Sequence, residues 1–218
     1  LTLAHPDGSV AMSGLSLEIL PGERVLISGD QGVAVKLFKA VAGLWPWGSG
    51  TVSLPSDSTM FFVPQRPYLP MGSLRTILAY PSAVESYSEE RLKAALVRVG
   101  LAHLCERLHE HSPWEDSLSA GEQQRLGFAR LLLHRPRWVF LDEATDALDP
   151  ESERRLMRIL LDEFPGTTIL TIGFTPELEA FHTRRLTLTP QGQSADRDPG
   201  RGRPNQPSGP GRWPGRLF

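Results

Sequence analysis

The sequence predicts an α/β domain with a parallel sheet at its core, an antiparallel β portion and an inserted helical lobe. In the last part of the chain a short apolar run, Trp138–Leu141, is followed by a helix that Asp149 caps and by a second apolar run, Thr167–Ile172. This order of strand, helix and strand is typical of a parallel sheet. The stretch from about residue 66 to residue 134 carries mostly helical patterns, which predicts the lobe.

The first 64 residues contain four short β-like runs and one helical stretch. Glycines separate the runs, as turn residues do. The predicted strands are Leu15–Ile19, Arg24–Ser28, Thr51–Leu54 and Met60–Val63, and the predicted helix is Val35–Leu44.

One helix of the lobe shows a clear apolar face. Its apolar side chains recur at spacings of three and four residues, as on one face of a helix. The segment Ser86–Glu89 fits a capping box at its beginning, and Gly100 fits its end. The residues of the face are Leu92, Ala95, Leu96 and Val99.

Composition limits the class of protein and the length of its folded domain. The chain has 218 residues, and its formal net charge of -2 argues against a nucleic-acid partner. Its single cysteine, Cys105, excludes an internal disulfide and is interpreted as a packed side chain. From Pro190 to Phe218 the composition predicts a disordered tail, rich in glycine, proline and arginine, after a folded domain of residues 1–189. Because the chain begins at Leu1 without methionine, we expect further residues upstream.

The segment Leu118–Arg125 reads LSAGEQQR and has the pattern of a helix beginning. Ser119 caps the helix, and Glu122 completes the capping box. Gly121 leaves the backbone of the first turn accessible. Such a helix start, with free N–H groups and a hydroxyl, can bind an anion, although an ordinary capped helix explains the same residues.

Two carboxylates follow the buried strand in the segment Trp138–Glu143. The carboxyl ends of strands are where α/β sheets bind their ligands. Asp142 can hold Mg²⁺, directly or through water. Glu143 can orient or deprotonate an attacking water. The alternative is a strand that simply ends in solvated acids.

The order and spacing of these segments resemble those of an ABC ATPase. The family's signature motif is usually written LSGGEQQR, and here alanine replaces one glycine. The matching segments are Leu118–Arg125 for the signature, Trp138–Glu143 for Walker B, Ala144–Asp149 for the D-loop and Phe62–Arg66 for the Q-loop.

The resemblance implies a P-loop NTPase fold with a RecA-like sheet core and ATP and Mg²⁺ as cofactors. It implies that Gln65 senses Mg²⁺ and the attacking water, and that Glu143 is catalytic. Two segments, Ala42–Pro46 and Gln65–Arg75, are similar to exporter half-transporters of the peroxisomal fatty-acyl type, subfamily D, and to their bacterial relatives. In that branch a membrane-spanning domain precedes the cassette in the same polypeptide, and a second cassette completes the ATP sites. The chain is then expected at the cytoplasmic face of a membrane, where it couples ATP binding and hydrolysis to solute export.

The phosphate-binding loop departs from the family pattern G-x-x-x-x-G-K-[ST]. Counting from the first glycine, alanine takes the place of the second glycine and valine the place of the lysine. Sliding the register to use the lysine puts leucine where a hydroxyl should bind Mg²⁺, so neither register recovers the full site. The candidate nucleotide-binding residues of this loop are Gly29, Asp30, Gln31, Gly32, Val33, Ala34, Val35, Lys36 and Leu37.

A second departure agrees with the first. Phe174 stands where the family has its switch histidine, and phenylalanine cannot hydrogen-bond a phosphate. His182 is interpreted as a surface residue. Two other functions stay open: a catalytically inactive interaction or regulatory module, and a soluble ABC protein of DNA repair or translation. The Q-loop neighbourhood and the expected membrane partner argue against the soluble protein.

Overall fold

The computed structural model describes residues 1–56, 59–190 and 192–197. Its order of elements confirms the predicted α/β class. The strands are β1 (Thr2–Ala4), β2 (Val10–Met12), β3 (Arg24–Gly29), β4 (Gly48–Ser49), β5 (Met60–Pro64), β6 (Trp138–Asp142), β7 (Thr168–Ile172), β8 (Arg184–Thr189) and β9 (Gly192–Arg197). The helices are α1 (Gln31–Val41), α2 (Leu74–Ala79), α3 (Glu89–Arg98), α4 (Trp114–Ser117), α5 (Ala120–His134), α6 (Pro150–Glu163) and α7 (Pro176–Glu179).

Six strands form the main sheet in the order β5-β6-β7-β3-β8-β9. The first five are parallel, and β9 pairs antiparallel with β8. Apolar side chains cover both faces: Val25 and Ile27 of β3 join the core under α1, whereas Leu26 joins the core under α5 and α6. Burial on both faces is the reason why the strands are almost continuously apolar. A separate antiparallel sheet, β2-β1-β4, lies beside α1.

The predicted helical lobe is present, and α2, α3 and α5 pack against one another. α3 buries its predicted apolar face, and Gly100, with a φ of +82°, ends it. The predicted capping box at Ser86 is wrong, because the N-cap is Ser88, whose hydroxyl accepts a hydrogen bond from the N–H of Arg91. Cys105 packs against this core as expected, and burial raises the pKa of its thiol.

Two of the four strands predicted in the first part of the chain are wrong. β3 and β5 form as expected, but Leu15–Ile19 and Thr51–Leu54 form no strand. The antiparallel sheet uses Val10–Met12 and Gly48–Ser49 instead, one on each side of β1. The two non-strand segments line a cavity of about 290 Å³ against α1 and β6. Leu15 is buried and Leu17 and Ile19 are partly buried, so the apolar pattern of Leu15–Ile19 reports burial rather than strand pairing. Thr51–Leu54 is exposed, and burial does not explain its pattern.

The chain continues with regular structure past residue 190. β9 falls within the segment for which disorder is predicted, and its pairing with β8 corrects that prediction for residues 192–197. The rest of the predicted tail, residues 198–218, lies outside the described residues. Among the described residues, no helix is long and apolar enough to cross a membrane.

Arg130 of α5 connects that helix to α2 and to the segment after β5. Its side chain is 4% exposed. Its Nε donates to the carbonyl of Ile77 and its Nη2 to the carbonyl of Tyr68, each at 2.9 Å. Burial lowers the pKa of Arg130 to about 10. This one side chain therefore holds the backbone on both sides of a short connecting segment.

Replacing Arg130 with methionine removes both hydrogen bonds while keeping much of the apolar contact. Two carbonyls then lose a charged donor, so we expect the free energy of unfolding to fall by about 2 to 4 kcal/mol. This loss lowers Tm by about 5 to 10 °C. Circular-dichroism melting of Arg130→Met measures the change in Tm. The control is Arg155→Met, at an exposed arginine of α6. Equal losses in the two variants would contradict the role given to Arg130.

Candidate functional site

The predicted nucleotide-site segments meet at one edge of the main sheet. Gly29 ends β3, Gln65 directly follows β5, and Asp142 ends β6 just before Glu143. These strands are parallel, so their carboxyl ends share one edge, where sheets of this class bind ligands. The structure thus brings these four residues to the same edge, and their individual roles stay predictions.

The connection from β3 to α1 is a single residue, Asp30. Gly29 has a φ of +101°, and a side chain there would collide with the backbone of β8. α1 begins at Gln31 and not at Val35 as predicted, because Asp30 caps it: its carboxylate accepts a hydrogen bond of 2.9 Å from the N–H of Val33. A carboxylate of the chain itself therefore occupies the N-terminus of the helix, where a phosphate would otherwise bind.

The rest of the predicted phosphate loop lies in the first turns of α1. Val33, Ala34 and Leu37 are buried in the core. Lys36 folds back along the helix, and its Nζ donates to the carbonyl of Gly32 at 3.1 Å. A phosphate chain with Mg²⁺ is held by free backbone N–H groups, a lysine and a metal-binding hydroxyl. The residues present here do not fit that group.

Amide side chains surround the predicted catalytic carboxylate. Gln31 donates through Nε2 to Oε1 of Glu143. Gln65 donates through Nε2 to Oε2 of Glu143 at 3.4 Å and to Oδ2 of Asp146 at 2.5 Å. We call Gln31, Gln65 and Gln124, with the two carboxylates Glu143 and Asp146 that they contact, the glutamine clamp. Both oxygens of Glu143 thus accept hydrogen bonds from within the chain.

Gln124 is the member of the clamp that sequence reasoning missed. Its side chain is 1% exposed. Its Nε2 donates to the backbone carbonyls of Gln65 and Glu143, at 3.1 and 3.3 Å, and to Asp146 Oδ1, while its Oε1 accepts from the N–H of Ala147 at 3.0 Å. Gly127, Phe128 and Leu131 are buried residues of α5 and follow Gln124 at i+3, i+4 and i+7. This helical spacing was the signal that the polar side chain of Gln124 faces inward.

Asp142 is half-buried at the end of β6 and lines a cavity of about 460 Å³. Burial raises the pKa of its carboxyl, and the charge of Glu143 raises it further, while Lys39 acts in the opposite direction. Val35, which one register places at the lysine position, lines the same cavity. Within the described part of the chain, no group of three potential ligand residues is arranged to hold a metal ion. Mg²⁺ binding by Asp142 and Gln65 stays a prediction.

The signature segment has the capping box that its sequence predicts. The N–H and hydroxyl of Ser119 donate to Oε2 of Glu122, at 2.9 and 2.8 Å, and the N–H of Glu122 donates back to the hydroxyl. Burial raises the pKa of Glu122, but the bonds from Ser119 and His103 outweigh it, so the net shift is downward. Gly121 lies against the D-loop, where a side chain would meet the carbonyl of Ala147 at 3.2 Å. The signature therefore forms its capping box and packs against the D-loop within this chain.

The residue at the position of the family's switch histidine is Phe174, whose side chain has no hydrogen-bonding group. Phe174 is 53% exposed. The interpretation of His182 as a surface residue is wrong: it is partly buried, and its ring bonds to the hydroxyl of Thr171 at 2.8 Å and the carbonyl of Leu178 at 2.6 Å. Burial lowers the pKa of His182. The ring therefore joins β7 to α7 and takes no part in the candidate site.

Aromatic side chains surround the cavity beside the Q-loop. Tyr68 is 63% exposed and meets Tyr80 edge to face at 5.4 Å. The same face carries Leu44, which is also exposed. This cavity therefore opens to solvent through an apolar rim.

Comparisons with known proteins agree with these motifs. A family model described as ABC transporter matches residues 12–146. An ABC transporter ATP-binding protein of Haemophilus influenzae is 37% identical over 194 residues, 88% of this chain and 33% of the relative. One of Synechocystis is 40% identical over 198 residues, covering 88% and 30%. ABC transporter D family member 1 of Arabidopsis thaliana is 37% identical over 199 residues, covering 86% and 15%. The chain thus spans about a third or less of these relatives.

Replacing Asp142 with asparagine is expected to stabilise the fold at neutral pH. Burial raises the folded-state pKa of Asp142 above its unfolded value, so the folded state binds the proton more tightly. The cost of the charge is absent below the unfolded pKa of about 3.9 and grows as pH rises through the folded pKa. We expect Tm to rise by about 1 to 3 °C at pH 7 and not at pH 3.5.

Melting curves of Asp142→Asn at both pH values, beside the exposed change Asp162→Asn, test this. A lower Tm for Asp142→Asn at pH 7, or an equal gain at both pH values, would show that burial does not disfavour the charge.

Proposed function

The chain belongs to the ABC transporter family, and we propose that it is the ATP-binding cassette of a membrane transporter that uses ATP binding and hydrolysis for solute export. We further propose that the nucleotide site of this chain does not itself hydrolyse ATP. The observation that carries the second part is the single-residue connection between β3 and α1. Asp30 caps the helix there, so the phosphate-binding loop of an active ATPase has no counterpart. Phe174 supports the same conclusion at the switch position.

The signature supports a role at a second cassette. Domains of this family act in pairs, and each signature faces the nucleotide held by the other chain. Here Ser119 and Gly121 stand at the beginning of α5, a helix of 15 residues with a complete capping box. The phosphate loop and the switch position, which this chain would use for its own nucleotide, depart from the family pattern, although Glu143 is retained. The signature, which it would offer to a partner, is nearly complete. We propose an intact cassette as the partner, which holds ATP and Mg²⁺.

The cavity beside the Q-loop supports contact with a membrane-spanning domain. Its rim carries exposed Tyr68 and Leu44, and Met71, 99% exposed, lies just beyond on the same connecting segment. Arg130 fixes the backbone of Tyr68 from below. An exposed apolar surface whose backbone is held in place can bind a short helix of a membrane domain. This contact would place the chain at the cytoplasmic face of the membrane.

A second candidate is a catalytically inactive interaction or regulatory module. The observation that favours it is Glu143, whose two oxygens accept hydrogen bonds from Gln31 and Gln65. A general base held in this way is not free to activate water. The two candidates differ in whether the chain accelerates ATP hydrolysis by a partner.

The purified chain is expected to hydrolyse ATP at least about a hundredfold more slowly than an intact cassette, since the loss of even one group that stabilises the transition state costs about that much. A phosphate-release assay of the chain, with Glu143→Gln as the control for contaminating ATPase, measures the rate. Steady turnover that disappears in Glu143→Gln would contradict the inactive site.

Mixing the chain with an intact cassette from the same cell is expected to raise the ATPase rate at least about tenfold over the partner alone, because the signature adds helix N–H groups at the partner's phosphate. Ser119→Arg in this chain should abolish the gain, whereas Asp162→Asn on α6 should leave it intact. If the mixture is no faster than the partner alone, or if Ser119→Arg changes nothing, the regulatory module is the better function.

A further inference from the structure

Gln31 occupies an unusual place for an amide side chain. It is the first residue of α1, and α1 has no acid in its first turn. The other long helices, α3, α5 and α6, each have glutamate there. An acid at this position is favoured because the helix dipole is positive at its N-terminus. The dipole therefore does not explain glutamine, whereas the neighbouring carboxylate does.

That carboxylate is Glu143, at the end of β6. A second acid at position 31 would repel it, but the Gln31 amide donates a hydrogen bond to it. This bond spans the gap between the beginning of α1 and the carboxyl end of β6. In a nucleotide-binding α/β domain the phosphates and their metal lie between these two elements. The chain thus closes the gap with one of its own side chains.

The bond continues into the helical lobe. Glu143 also accepts from Gln65 of the Q-loop, and Gln65 reaches Asp146 of the D-loop at 2.5 Å. Gln124 of α5 then joins Gln65, Asp146 and the backbone of Glu143 from inside the lobe. One connected set of hydrogen bonds therefore runs from α1 through β6 and both loops to the helix that begins at the signature.

We propose that the glutamine clamp is a lock that replaces nucleotide. Gln31 takes the place of the bound phosphate as the link between α1 and Glu143, so the Q-loop, the D-loop and α5 stay joined to the core with no nucleotide in the chain's own site. This inference goes beyond the proposed function, because it concerns the isolated chain and requires no partner.

Exchanging the two partners of the bond tests the lock. Gln31→Glu sets two carboxylates against each other and is expected to lower Tm by about 2 to 4 °C, although the helix dipole favours an acid there. Adding Glu143→Gln restores the pair in the opposite direction, because the new amide can donate to position 31 and accept from Gln65. The double variant should melt within about 1 °C of the unmodified chain. Ala120→Glu, at the same first position of α5, is the control for the added charge and should not lower Tm.

Hydrogen exchange of the 218-residue chain gives a second readout. In Gln31→Glu the amides of the Q-loop and of residues 144–149 should exchange faster, and in the double variant they should return to the original rate. Two outcomes overturn the lock: Gln31→Glu leaves Tm and exchange unchanged, or its effects persist after Glu143→Gln is added. Neither result depends on ATPase activity, so the lock can fail while the role of the signature stands.

Discussion

The candidate site is arranged around one hydrogen bond, from the N–H of Val33 to the carboxylate of Asp30. It lets α1 begin at Gln31, with only Asp30 between the helix and the end of β3. An acid at this point also fills the positive end of the helix. The burial of Leu37 and the return of Lys36 to Gly32 follow from the same early helix start, since each side chain's position is set by its turn of α1.

Glu143, directly after β6, finds its hydrogen-bond partners within the chain. Glu143 is half-buried, and a half-buried carboxylate is costly unless it accepts hydrogen bonds, whereas Asp146 is exposed. Glutamine side chains from three different elements supply donors to Glu143 and Asp146. These bonds connect the sheet edge to α5, and α5 begins with the signature and its capping box. The beginning of α1 and the helix that begins at the signature therefore belong to one hydrogen-bonded unit.

Sequence patterns predicted the parts of the fold that depend on local chemistry. Continuous apolar runs gave β6 and β7, and the capping residues Ser119 and Asp149 placed the beginnings of α5 and α6. Leu15–Ile19 was misread because burial against α1 produces the same pattern as strand pairing. The prediction of Val35–Leu44 missed the first turn of α1, in which Asp30 caps the helix through the N–H of Val33. Contacts between distant residues, such as those of Gln124 and His182, depend on tertiary packing that no local pattern encodes.

The most direct test of this account is a titration of the 218-residue chain with a fluorescent ATP analogue in the presence of Mg²⁺. Because Asp30 caps α1, Lys36 bonds back to Gly32 and neither register supplies a hydroxyl for Mg²⁺, we predict no saturation up to about 1 mM. This limit corresponds to a binding free energy weaker than about -4 kcal/mol. Saturable binding at micromolar concentration that is lost on adding unlabelled ATP would contradict the account.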